Sequence, residues 1–429
     1  MHFKSISIAN LFGLYSYNID FNDIGNNITL ITGPNGYGKT TILQILSCLS
    51  PAKLYYFYVL KFDEITIELS DNSRYVIKQS VFSNEKTSDD VKKPTTKRVR
   101  FEWIGANGLD NAFFEYNPQN IAKASREIRY QMRFEERFIM RDMEADMNAF
   151  LMDNRSFNEI IAHALGQDSF ILQLEVLQVI FIHSNRIFNE ANEENKHLPV
   201  EKIQKDLQTE LSKVQRRYYE LSQRVDGNFI QQVVSNRTND TSKVDYERLA
   251  GEVESKMQVL SKYQLVDKIQ IPPYKQNNDS ILYAYVKGLQ DKYDNFEGID
   301  GKLELFNSLL STKRFANKSI SYSPQHGFQV TSVLGDDIDI KLLSSGEQNE
   351  IIMLYKLIFK VPDHSLFLID EPENSLHVVW QQMFIDDIVR VAQEKKLQVV
   401  IATHSISIAA KGQDYSMDLF YLQRDAEDK

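Results

Sequence analysis

The nine residues GPNGYGKTT, Gly33 to Thr41, constrain this chain more than any other stretch. They follow NITLIT (Asn27 to Thr32), a short β-branched run that predicts a buried strand. They lead into TTILQILSCL, where Ile42, Leu43, Ile45, Leu46 and Leu49 recur at helical spacing. Strand, glycine loop and helix is the context that G-x-x-x-x-G-K-[ST] requires, and Gly33, Pro34, Asn35, Gly36, Tyr37, Gly38, Lys39 and Thr40 fill the pattern without a gap. Glycines let consecutive backbone N–H groups turn inward as a nest for phosphate oxygens, and the start of the next helix adds its positive end. The expected nucleotide-binding residues are therefore Gly33, Asn35, Gly36, Gly38, Lys39, Thr40 and Thr41. Lys39 would neutralise the β- and γ-phosphates of ATP, and the Thr40 hydroxyl would ligate Mg2+. A plain glycine turn with a surface lysine fits the loop alone, but not the loop set between that strand and that helix.

Three segments near the C-terminus belong to the same argument. SLFLIDEPENSLH (Ser365 to His377) is an apolar strand that ends in Asp370 and Glu371. Carboxylates at the C-terminal end of such a strand point to where ligands sit in open α/β sheets. Asp370 can hold Mg2+ through water, and Glu371 can polarise an attacking water. LQVVIATHSISIA (Leu397 to Ala409) is a second buried strand, ending in Thr403, His404 and Ser405. A histidine in that position, in a nucleotide protein, reads as functional, and the expected catalytic set is Glu371, His404 and Lys39. LLSSGEQNEIIMLYKLIF (Leu342 to Phe359) has a serine-glycine turn and then an amphipathic helix carrying Ile351, Ile352, Leu354, Tyr355 and Ile358. Capping by Ser344 or Ser345 accounts for that turn by itself.

Together and in this order, the segments resemble an ABC-type ATPase head: an α/β P-loop fold of mixed sheet with flanking helices. In that resemblance Gly33 to Thr40 is Walker A and Leu366 to Asp370 is Walker B, with Glu371 as the base and His404 as the switch histidine. Leu343-Ser344-Ser345-Gly346-Glu347 resembles the signature of the SMC-like branch. The resemblance implies that Ser344, Ser345, Gly346 and Glu347 complete the γ-phosphate site of a facing subunit, so that ATP holds a head-to-head dimer together. Transporter cassettes carry an aspartate after Walker B; this chain reads Asn374-Ser375-Leu376-His377. The phrase DEPENSLHVVWQQMF instead resembles the OLD-like, AAA-type ATPases of bacterial anti-phage defence, most of all the ATPase subunits of PARIS systems. That likeness implies ATP-dependent homo-oligomers that hold a separate nuclease toxin as effector until a phage protein acts as trigger. A RecF- or SMC-like repair ATPase that binds DNA is the alternative; a transporter cassette fits less, for want of the usual signature glutamine. No Q-loop glutamine is assigned, and Gln79 fits either that role or an exposed polar position.

Composition bears on partners. A net charge of −10 over 429 residues gives no overall field for nucleic acid, which leaves KKPTTKRVR (Lys92 to Arg100) and KVQRR (Lys213 to Arg217) as the local candidates. Cys48 is the one cysteine, which excludes an internal disulfide and a multi-cysteine metal site. With no signal-peptide pattern in MHFKSISIAN and no apolar run near the ~20 residues of a membrane span, a cytoplasmic protein without membrane contact is expected.

The expected division is an N-terminal lobe over 1–115, a helical insertion over 116–300 and a C-terminal lobe over 301–429. FKSISIANLFGLYSYNIDFN predicts a hairpin of edge strands around Gly13, in which Phe12 and Tyr15 fit either core packing or an adenine face. EKTSDDVKKPTTKRVR (Glu85 to Arg100) reads as a loop, Asn120 to Gln167 as mostly helical, and the region near 174–184 as a strand returning to the head. Leu207, Leu211, Val214, Tyr218, Leu221 and Val225 step by four and three, the seam of a coiled coil. Leu249, Val253, Met257 and Leu260 offer a returning arm after a turn in Asp226 to Lys243, for a hairpin over about 199–264.

Overall fold

The computed structural model describes residues 2–21, 27–50, 53–82, 96–116, 170, 173–174, 177–183, 199–235, 242–296, 298–311, 315, 317–376 and 378–427. The chain divides into one unit of Met1–Arg186 with Val361–Lys429 and a second of Ile187–Lys360.

The first unit opens with β1 (Phe3–Leu11) and β2 (Tyr15–Asp20), antiparallel around a turn where Phe12 and Gly13 take φ of 59° and 78°. β3 (Ile28–Thr32), α1 (Lys39–Ser47) and α2 (Tyr55–Val59) follow, then β4 (Glu64–Leu69), β5 (Arg74–Phe82), β6 (Thr96–Ile104) and β7 (Asn111–Tyr116). Alternation sets the faces: Ile65, Ile67 and Leu69 of β4 are buried while Glu64, Thr66 and Glu68 are half-exposed. These strands form an antiparallel sheet in the order β2-β1-β4-β5-β6-β7. Only β2 of the expected edge pair lies at an edge, because β1 also pairs with β4, Ile6 opposite Ile67. The stretch read as a loop over 85–100 is already strand from Thr96; its earlier part, and the helical reading of 120–167, lie outside the described residues.

β8 (Val179–His183) closes the first segment of this unit. The second unit then supplies α3 (Pro199–Ser235), α4 (Lys243–Lys262), α5 (Asp279–Asp294), α6 (Ile299–Ser311), β9 (Lys318–Ser323), β10 (Gly327–Ser332), β11 (Asp337–Ile338) and α7 (Ser345–Tyr355). The chain returns to the first unit with β12 (Leu366–Asp370), α8 (Val378–Lys395), β13 (Gln398–Ala402), α9 (Ile406–Lys411), β14 (Ser416–Asp418) and α10 (Leu419–Glu427).

A parallel five-stranded sheet, β14-β3-β13-β12-β8, is the core of the site. Every residue of β12 and β13 is buried, which explains their unbroken apolar runs. α1 packs across this sheet through Ile42, Leu43, Ile45 and Leu46, all fully buried. The register places Asp370 beside Ala402 and Ala402 beside Ile31, so β12, β13 and β3 end together. The glycine loop, the paired carboxylates and the histidine therefore leave one edge of one sheet, the C-terminal edge.

In the second unit α3 is a single helix of 37 residues, about 55 Å at about 1.5 Å per residue. It runs on through Asp226 and Gly227 to Ser235, the first part of the link Asp226 to Lys243 in which a turn was expected; 236–241 lie outside the described residues. Two contacts hold it there: Lys292 Nζ lies 2.7 Å from Asp226 Oδ1, and a Cβ on Gly288 would lie 3.2 Å from Val225 Cγ1. Both come from α5, which packs along α3 and also against α4. Tyr218 of the seam meets Tyr293 and Phe296, with ring centroids 6.4 and 5.2 Å away. At Tyr218 and Val225 the seam expected to meet a returning arm is thus covered by α5 and Phe296. Residues 301–360, expected with the C-terminal lobe, fall in this unit because α7 packs on α3 and α6. α7 is also buried from Glu350 to Tyr355 without a break, so it is not the amphipathic helix its sequence suggests. Among the described residues no helix is long and apolar enough to cross a membrane, and no cluster of three or more His, Cys, Asp or Glu could hold a metal ion.

Candidate nucleotide site

Gly36 and Gly38 both take φ of 87°, a conformation that a side chain would strain, and this curls the loop from β3 into α1. A Cβ on Gly38 would also lie 3.1 Å from Leu11 Cδ2. Gly38 caps α1, and Ile42 N donates to its carbonyl at 2.9 Å. Tyr17 Oη donates to the Tyr37 carbonyl at 2.7 Å, holding the loop from the side; burial raises the Tyr17 pKa, so the hydroxyl stays a donor. Lys39 is buried and bends back over the loop, with Nζ 2.8 Å from the Gly33 carbonyl and 3.0 Å from that of Pro34. Burial lowers its pKa, against the opposing pull of Glu371, Asp370, Asp418 and Glu373. A cationic side chain set among carboxylates, at a loop that left-handed glycines curl, is suited to a ligand that carries both polyanion and divalent cation.

The carboxylates are ordered. Thr40 Oγ1 donates to Asp370 Oδ1 at 3.1 Å. These are hard oxygen donors side by side, which suit Mg2+. Glu371 begins a tight turn with φ of 48°, a costly conformation for a residue with a side chain. It is held by its N–H on the Ala402 carbonyl at 2.8 Å and by Asn374 Nδ2 on its Oε2 at 2.7 Å. Its Oε1 lies 3.9 Å from His404 Nε2. Lys39, Thr40, Asp370, Glu371 and His404, far apart in sequence, thus meet at the ends of β3, β12 and β13. Asn374 orients Glu371; His377 lies outside the described residues.

Sequence reasoning missed Glu373. Its Oε2 accepts from Thr403 Oγ1 at 2.8 Å, and its Oε1 from His404 N at 2.6 Å and Ser405 N at 3.1 Å. Three residues past the end of a core strand, a third carboxylate reads as solvated charge; its partners are some thirty positions away. Asp418 was missed for the same reason. It starts α10 by accepting from Phe420 N at 2.9 Å, and its Oδ1 lies 3.4 Å from where a Gly33 Cβ would be.

Other candidates have structural roles. Gln79 Nε2 donates to the carbonyls of Phe57 and Leu60 at 3.1 and 2.8 Å, closing the end of α2. Tyr15 stacks on Tyr17 and Tyr37, while Phe12 stays partly exposed beside Gly38. Of the basic candidates, Arg98 pairs with Glu115, Arg100 with Glu102 and Lys213 with Glu210, at 3.3, 2.6 and 3.5 Å.

Ser344 to Glu347 belong to the second unit. Ser344 and Ser345 are exposed at the start of α7, Gly346 is half-buried and Glu347 is buried. Ser344 and Glu347 form a capping box: Glu347 N donates to Ser344 Oγ at 3.3 Å, and Ser344 N to Glu347 Oε2 at 2.9 Å. Lys318 Nζ sits 2.5 Å from Glu347 Oε1. Burial alone would raise the Glu347 pKa, but Lys318 and the Ser344 donors outweigh it and hold it below the ordinary 4.5. Its contribution to the cap is therefore complete above the ordinary carboxylate range and is lost as pH falls through the lowered value. Glu347→Ala is expected to weaken the α7 start by about 1 kcal/mol, seen as about fivefold faster amide exchange over residues 344–348. Unchanged exchange would show that the cap does not hold the helix.

The family described as the AAA ATPase domain matches residues 1–409. The chain belongs to that family. This AAA ATPase has the α/β P-loop fold, and hydrolysis of ATP is its activity. No curated protein matches it. Among solved structures, the Smc head domain with an extended coiled coil, bound to the C-terminal domain of ScpA, from Pyrococcus furiosus is 13% identical with a TM-score of 0.35, over 96% of this chain and 91% of that one. The SMC head domain from Thermotoga maritima is 11% identical with a TM-score of 0.32, over 96% of this AAA ATPase and 92% of that chain. At those scores nothing about partners or assembly follows.

Proposed function

We propose that the AAA ATPase binds ATP in the loop Gly33–Thr41, with Glu371 as the general base and His404 beside the departing phosphate. The meeting of Lys39, Thr40, Asp370, Glu371 and His404 at one sheet edge carries this reading. Glu371 takes the proton of the attacking water, and Lys39 offsets phosphate charge. Thr40 and Asp370 are the residues that would hold Mg2+, which when bound neutralises charge on the phosphates. Ser344 and Ser345 of a second copy complete the site, so two sites form together in a symmetric head-to-head dimer. In support, both serines are exposed at a helix start that the capping box keeps in order. Ser344→Arg is expected to lower turnover by about 10²-fold with each chain still binding ATP. A mixture of Ser344→Arg and Lys39→Ala chains should regain activity, since one site of the pair is then intact. Silence from every mixture, at protein and ATP levels that restore the wild-type pair, would refute sharing between chains.

In the cell this ATPase serves anti-phage defence in the cytoplasm: an ATP-held homo-oligomer that retains a separate nuclease toxin until a phage protein releases it. The support is the phrase LIDEPENSLHVVWQQMF, and the pairing of the basic candidates Arg98, Arg100 and Lys213, which leaves them poor phosphate contacts. The test is a pull-down on tagged Glu371→Gln chain with ATP from the native host, with phage plating in parallel. Stoichiometric capture of a small nuclease, and plating that rises when Lys39 is replaced, are expected. Unaltered plating on that replacement, with no nuclease captured, would sink the defence reading.

A further inference from the structure

The turn Pro372–Ser375 carries two devices. On one side Asn374 holds the Glu371 carboxylate. On the other, Glu373 grips the loop that leaves β13: the buried hydroxyl of Thr403 and the backbone N–H groups of His404 and Ser405 all donate to its carboxylate. Ser405 N also donates to Thr403 Oγ1 at 3.0 Å, so the hydroxyl and the two amides close into one network. Gln381 of α8 backs it, accepting from Ser405 Oγ at 2.6 Å and donating to the Leu376 carbonyl at 3.1 Å. A charged acceptor shared by three donors makes short, directional bonds, and it fixes the backbone just past the last bond to the sheet, which Thr403 N makes to the Ile31 carbonyl at 3.2 Å. The same backbone carries His404, whose ring stands against Glu371.

We infer that Glu373 is a positioning residue for turnover: by clasping Thr403, His404 and Ser405 it fixes His404 relative to Glu371. This rests on the reading of Glu371 and His404 as a working pair. Glu373 touches neither nucleotide nor water in this role; it acts only through the loop. A side chain that sets geometry alters kcat and leaves affinity alone, and its effect disappears once the group it positions is gone.

The test is a double-mutant cycle in the full chain, with kcat, KM, ATP affinity by calorimetry and thermal melting read together. Glu373→Gln is expected to lower kcat by about 10²-fold, with affinity for ATP within about twofold of wild type. In a His404→Ala background the same substitution should cost less than about twofold more. A full loss in that background, or an affinity that falls with kcat, overturns the clasp while leaving His404 in its role. If His404→Ala leaves turnover unchanged, the reading of His404 fails and the clasp has nothing to position, which overturns both. Should Glu373→Gln fold poorly, Thr403 gives an independent arm. Thr403→Val removes one donor at equal volume and should lower kcat about tenfold, and Thr403→Ser should restore it. Equal kcat for the valine and serine variants overturns the clasp.

Discussion

Glu371→Gln is expected to lower ATP turnover by about 10²- to 10⁴-fold while nucleotide affinity stays within about twofold. The substitution is close to isosteric. A glutamine carbonyl can still accept from Asn374 Nδ2, so the strained turn with φ of 48° at this position keeps its restraint. What is lost is the carboxylate that takes the proton of the attacking water. One negative charge also leaves the set of Asp370, Glu371, Glu373 and Asp418 around Lys39, which favours a polyanion rather than opposing it. The variant should therefore load with ATP and stay loaded, and if serines of a second copy share the site it should accumulate as the dimer. Phosphate release at steady state, calorimetry and light scattering read the three consequences separately. Unchanged phosphate release would remove Glu371 from the role of base.

Much of the site was legible because its chemistry is contiguous. A loop such as GPNGYGKTT carries its own backbone requirement, and an apolar strand ending in Asp370-Glu371 carries its own direction. That β3, β12 and β13 end together comes from their register, Asp370 beside Ala402 and Ala402 beside Ile31. The interactions that join them were not legible. Glu373 acts on Thr403, His404 and Ser405, and Asp418 lies beside Gly33, across separations that no local pattern encodes.

The second unit shows a different limit. A heptad seam states that one face of α3 must be covered, not what covers it. α5 lies there, and it approaches closely because Gly288 has no side chain to hold it off from Val225. Asp226-Gly227 is a strong turn signal by itself. Here the ion pair with Lys292 and the packing beside it keep the segment helical. In α7, every residue from Glu350 to Tyr355 is buried, so apolar periodicity underestimates how much of the helix is covered.

Lys39→Met is expected to weaken ATP binding by about 10²-fold or more and to abolish turnover at ordinary ATP concentrations. Methionine has nearly the length of the lysine stem, so the packing around this buried position changes little while the charge goes. Two effects add. Hydrogen bonds from an ammonium to phosphate oxygens contribute about 1.5–3 kcal/mol each, and these are lost. The carboxylates of Asp370, Glu371, Glu373 and Asp418 would then face a triphosphate without the lysine cation now set among them. Backbone amides and the start of α1 would remain, and they supply partial charges only. Because burial lowers the Lys39 pKa, wild-type affinity should also fail on the alkaline side below the ordinary lysine value of 10.5. The deprotonated amine keeps its donors but not its charge, so affinity falls as pH rises through the lowered value, and the methionine variant lacks that limb. Calorimetry across the alkaline range reads both. Normal affinity in Lys39→Met, or an alkaline limb shared by both proteins, would mean that the glycine loop grips its ligand by amides alone and that the lysine is there to brace the Gly33 and Pro34 carbonyls.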